Sequence, residues 1–146
     1  MSVIQWFEWC NDSAVGTAIR DSAWLFPAVE AVHLLALAVL GGTVLLVDFR
    51  LAGLGLRRQR VSELARDVRP WMVGSLIVML VSGATLFTSE ATKCYDNGAF
   101  WMKMLALALA ILFTFTVRRM VSERETDVSP AVGRLVAATS LVLWLS

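Results

Sequence analysis

The stretch from Ser22 to Val47 constrains this chain more than any other. It reads Ser-Ala-Trp-Leu-Phe-Pro-Ala-Val-Glu-Ala-Val-His and then Leu-Leu-Ala-Leu-Ala-Val-Leu-Gly-Gly-Thr-Val-Leu-Leu-Val, an apolar run long enough to cross a bilayer as a helix. Glu30 and His33 sit well inside it, and His33 is the only histidine of the chain. An ionisable side chain within a span is costly and by default marks a functional site. Three residues apart, the two share one face of that helix, which continues through Leu37, Gly41 and Val44 toward Asp48. Gly41 and Gly42 predict close packing of this face against another helix.

Two further apolar runs and a fourth, shorter one repeat the theme. Residues 71–88, 99–117 and 130–146 join 22–47 as predicted spans, and Ser129-Pro130 supplies an N-cap followed by proline at the first helical position. Ahead of them, Ile4, Trp6, Phe7 and Trp9 predict a short interfacial helix, and Asn11-Asp12-Ser13 starts a second helical turn or two. Val61 to Val68 reads as a short amphipathic helix on the membrane surface, and Ser89 to Asn97 as a polar turn. The fold class is therefore all-α: one integral membrane four-helix bundle over residues 1–146 with a short N-terminal interfacial helix. At 17 residues, about 25 Å of helix, the fourth span falls short of a ~30 Å hydrocarbon core and is expected to be truncated. With 58% hydrophobic and 17% charged residues the chain lies outside the soluble globular range, and a net charge of +1 with no basic face argues against a nucleic-acid partner.

Orientation follows from the arginines. Ten of them fall in residues 48–70 and 118–134, so these loops are expected in the cytoplasm and both termini in the periplasm of a bacterial inner membrane. The N-terminal segment lacks the basic region of a cleavable signal peptide and is expected to stay on the mature protein. Trp24 and Trp101 then belong to the outer interface and Trp71 to the inner one. This topology puts Cys10 and Cys94 on the oxidising side, either bridged or as two thiols too far apart to pair. Two cysteines on one outer face favour the bridge, which would stabilise the outer cap by a few kcal/mol. No C-x-x-C motif or histidine cluster suggests a metal site, and no catalytic set is evident.

Lys103 is the expected partner of Glu30. Counting 1.5 Å per residue, Glu30 lies about 12 Å below Ser22 and Lys103 about 9 Å below Asn97, so the depths nearly match. The buried polar cluster is thus Glu30, His33 and Lys103, with His33 one turn deeper than the pair. For His33 the first reading is a hydrogen-bonded core residue. The others are an axial ligand of haem b, with Met72, Met79, Met102, Met104 or His33 of a second copy opposite, and a quinone or proton contact.

The string Phe26-Pro27-Ala-Val-Glu30-Ala-Val-His33-Leu-Leu, then Gly41-Gly42-Thr43 and Asp48-Phe49-Arg50-Leu51, and later Phe100-Trp-Met-Lys103, resembles a family of uncharacterised small four-helix bacterial membrane proteins. More distantly it resembles the membrane domain of copper-resistance-D-type proteins. The closer likeness implies an inner-membrane bundle without an established activity. Members of the broader group often carry further histidines in later helices, where this chain has Thr114 and Thr116. The expected role is a non-catalytic accessory or stabilising subunit, bound to lipid and to a protein partner or further copies of itself. The alternative is a redox protein that binds haem or quinone through His33. A transporter would need several copies, and no inverted repeat supports one.

Overall fold

The conformation comes from a computed structural model, which describes residues 2–54, 60–120 and 129–145. Among the described residues all regular structure is helical: α1 (Val3–Asn11), α2 (Ala14–Asp21), α3 (Leu25–Leu51), α4 (Val61–Tyr95), α5 (Gly98–Phe113), which continues as a π-helical turn over Thr114–Arg118, and α6 (Pro130–Leu145). Three of these, α3, α4 and α5 with its π turn, are long and apolar enough to cross a membrane; α6 is apolar but shorter. The chain divides into two compact units, Met1–Val39 with Gly74–Trp101, and Leu40–Val73 with Met102–Ser146.

Local chemistry explains the helix boundaries. A reciprocal capping box opens α1, with the Ser2 amide donating to Gln5 Oε1 (2.9 Å) and the Gln5 amide to Ser2 Oγ (3.4 Å). The Ser13 hydroxyl caps α2 by accepting from the Gly16 amide at 3.1 Å. Ser22 Oγ accepts from the Leu25 amide (3.2 Å) where α3 begins, so Pro27 falls in the opening turn, where its missing N–H costs nothing. Asn97 Oδ1 accepts from the Ala99 amide at the start of α5, and Ser129 Oγ from the Val132 amide at the start of α6.

One predicted interruption is absent and a second is reduced to a kink. The helix expected at Val61 to Val68 and the span expected from Trp71 form one 35-residue helix that passes through Pro70. Proline removes a single backbone donor, the one that would serve the Arg66 carbonyl, and a helix packed on both sides of the defect survives it. The polar turn expected over Ser89 to Asn97 is helical as far as Tyr95, with one break at Glu90 (φ −133°, ψ 23°). Glu90 holds Lys93 in an ion pair of 2.6 Å, one turn on. Arg57, Arg58 and the loop 121–128 of the arginine-rich connections lie outside the described residues.

In the first unit, α1 and α2 close over α4. Phe7, Cys10 and Ala91 are buried together, with Phe87, Cys94 and Tyr95 against them. Phe7 meets Phe87 and Tyr95 edge-on, both at 5.2 Å between ring centroids, a geometry worth about 0.5–1.5 kcal/mol per pair beyond area. Arg20 ties the elements together: its guanidinium donates to Asn11 Oδ1 (3.0 Å) and to the Ser89 carbonyl (3.2 Å) beside the Glu90 break. Gly16 marks the closest approach, since a Cβ there would lie 2.5 Å from the Thr88 carbonyl oxygen.

In the second unit, Val47, Val61 and Leu64 form an apolar core with Leu51, Ala65 and Val68 packed on it. The buried face of α6 carries Gly133, Val136, Ala137 and Ser140, and Gly133 approaches the Leu51 carbonyl. Trp144 Nε1 donates to Thr114 Oγ1 at 3.1 Å, which anchors α6 to the π turn. Asp48 is completely buried.

Candidate functional site

The site grows from the face of α3 that packs inward. Ala36, Leu40, Val44 and Val47 are buried along it, and His33 heads the same stripe, at the 3-4 spacing that keeps residues on one side of a helix. The ring is half-buried in the first unit, and its Nδ1 lies 2.9 Å from Ser82 Oγ of α4. Ser82 also places its hydroxyl 2.7 Å from the Val78 carbonyl and 3.2 Å from that of Met79. A serine has one proton, and in a helix it goes back to the carbonyl four residues earlier. His33 Nδ1 must then be the donor and Ser82 Oγ the acceptor. In a neutral imidazole this leaves the lone pair on Nε2.

Gly83 makes room for the ring. A Cβ at that position would stand 3.1 Å from His33 Cε1, closer than nearly all such contacts. The dipeptide Ser82-Gly83 is therefore the receptor of His33, the serine by its hydroxyl and the glycine by its missing side chain. Neither was singled out by sequence reasoning as a partner of His33. The signal was present in a serine followed by a glycine amid an apolar run, but many helices use such pairs for packing alone.

The remaining predicted site residues fare differently. Glu30 is exposed on α3 in the first unit, and Lys103 is exposed on α5 in the second. Gly41 and Gly42 do not receive a neighbouring helix as expected: a Cβ at either would meet nothing within 4 Å. The inward face of α3 runs through Leu40 and Val44, both essentially inaccessible, so Val44 and Asp48 of the expected face are buried while Leu37 is exposed. The expected disulfide is also corrected, because Cys10 and Cys94 are free thiols. Both pack as small apolar groups in the cluster of Phe7 and Ala91, the usual role of a buried unpaired cysteine. Burial, and next the charge of Glu90, push the Cys94 thiol above its ordinary pKa; it sits beyond the apolar stretch of α4. Among the described residues no group of three or more His, Cys, Asp or Glu side chains forms a metal cage. Thr114 is buried and holds the Trp144 indole.

A family model described as a family of unknown function, DUF6644, matches residues 6–146. The chain belongs to this family. The match runs from within α1 through α6, so His33, Ser82 and Gly83 all lie within the DUF6644 region. No curated protein and no solved structure matches the chain.

Proposed function

We propose that this DUF6644 protein is a small, non-catalytic subunit of a larger inner-membrane assembly, and that it meets its partner through the part of α3 that carries Glu30 and His33. The observation that carries this reading is the exposure of Glu30 and the half-exposure of His33 on a helix long and apolar enough to span a membrane. Facing lipid, an ionisable side chain costs about 2.5–3.5 kcal/mol at mid-span and less toward the interface. A protein neighbour that supplies polar contacts removes that cost. In this reading α3 to α6 pack as a four-helix bundle, the arginine-rich ends of the spans face the cytoplasm, both termini face the periplasm, and Glu30 pairs with Lys103 or with the neighbour.

The test is the size of the assembly. Solubilised in mild detergent from its native membrane, the tagged chain should run on a native gel as a discrete species larger than itself. Glu30→Ala with His33→Ala should release the monomer, whereas Leu112→Ala, on an exposed part of α5, should not. A wild-type chain that runs as a lone monomer would refute the proposal.

One observation favours a second reading, in which His33 binds haem or a quinone. A histidine that ligates a metal nearly always donates its other ring nitrogen to a fixed acceptor, and Ser82 is such an acceptor for Nδ1. Met79, buried on α4 one turn before Ser82, or His33 of a second copy would hold the haem together with His33. Haem would supply one-electron chemistry, and this chain would supply the oriented imidazole. The absorption spectrum of purified protein decides: a Soret band lost in His33→Ala supports haem, and a colourless wild-type protein rules it out.

A further inference from the structure

The second unit contains a cavity that neither reading uses. It has a volume of about 160 Å³ and lies between the first turns of α4, the end of the α3 stripe at Val47, and the π turn that follows α5. Arg66, Arg69 and Arg119 line it together with the hydroxyls of Ser62 and Thr114. Its other walls are apolar, chiefly Val47, Met72 and Phe115. Among its described lining residues there is no carboxylate.

Helical geometry explains the bias in charge. Ser62, Ala65, Arg66, Arg69 and Met72 recur at intervals of three and four and so share one side of α4, while at about 100° per residue Glu63 and Asp67 fall on the opposite side. Neither Glu63 nor Asp67 lines the cavity, and the charged side chains that do are all arginines. Among the described residues Arg66 and Arg69 form no ion pair, and both are exposed. The π turn, a feature often found at functional sites, shapes the facing wall and contributes Phe115.

We infer that this cavity is a binding site for the phosphate headgroup of an anionic phospholipid. Guanidinium groups bind phosphate oxygens through paired N–H donors, and hydroxyls such as that of Ser62 complete the shell. Basic pockets between spanning helices are suited to such headgroups. The space is several times the roughly 30 Å³ share of one water, enough for a phosphodiester. A free phosphate shares the same chemistry, but Val47, Met72 and Phe115 give the site an apolar side that only the lipid, with its glycerol and acyl chains, can fill.

The full chain, purified in detergent, would be analysed by native mass spectrometry after equilibration with equal amounts of phosphatidylglycerol and phosphatidylcholine. Wild-type protein should retain phosphatidylglycerol at least about tenfold in preference. Arg66→Gln with Arg69→Gln should reduce that retention by about fivefold per arginine, and Arg134→Gln, which does not line the cavity, should leave it unchanged. The charge-conserving Arg66→Lys with Arg69→Lys should lose less, which separates loss of binding from loss of fold. In parallel, phosphatidylglycerol should raise the thermal midpoint of wild-type protein and inorganic phosphate should not. Equal retention of the two lipids by wild-type protein would overturn the proposal, and an equal thermal shift with inorganic phosphate would reassign the site to a soluble ion.

Discussion

Two neighbours on α4 fix His33. Ser82 Oγ lies 2.9 Å from its Nδ1, and Gly83 gives space to its Cε1 edge. The protonated Nδ1 should be visible directly in the ¹⁵N spectrum of histidine-labelled protein, with Ser82→Ala shifting the signals toward a tautomer mixture. An Nε2–H tautomer in the wild type would contradict the assignment. The same change should cost only about 0.6 kcal/mol of stability, the average for a side-chain hydrogen bond within a membrane. Gly83→Ala should cost more, about 1–3 kcal/mol, because the new methyl meets the ring and one of them must move. Unfolding titrations of both variants would check the order. That His33 would be hydrogen-bonded was legible from a lone polar ring in an apolar run. The identity of its acceptor was not, because it depends on which residues of a distant helix arrive at the same depth. The thiols illustrate the same limit: topology put Cys10 and Cys94 in one region, but whether sulfurs face each other depends on rotamers and helix phase.

At the scale of elements, helix existence was read well and helix continuity poorly. Caps at Ser13 and Ser129 are local signals and they hold. Pro70 is also a local signal, yet α4 runs through it, because packing outweighs one missing donor, whereas the polar residues near Glu90 do mark a break in the helical backbone. The two descriptions of α4 predict opposite effects. In a continuous helix Pro70→Ala restores the bond to the Arg66 carbonyl and should stabilise the protein, by up to about 3 kcal/mol in unfolding titrations. If Pro70 instead opened a separate helix, the change would be neutral or harmful. The docking of α2 depends on Gly16 in the same physical sense: Gly16→Ala should destabilise the cap, since its methyl would overlap the Thr88 carbonyl. Gly42→Ala, with nothing near it, should be neutral or raise stability by as much as about 1 kcal/mol. A thermal melt that ranks the two in the reverse order would count against the close approach of α2 to α4.

For the whole molecule, the membrane character is written in composition and in three long apolar helices. Lys103 is one of the two partners proposed for Glu30. A double-mutant cycle of Glu30→Gln and Lys103→Met should show a coupling energy well above about 0.5 kcal/mol, and additive effects would exclude direct contact. The central claim, that the exposed polar part of α3 is where a protein partner sits, is tested most directly by site-specific photo-cross-linking in the native membrane. A photoreactive residue in place of Glu30 should give a protein adduct of defined mass, while one in place of Leu112 should label lipid. Lipid labelling alone at both positions would contradict the account.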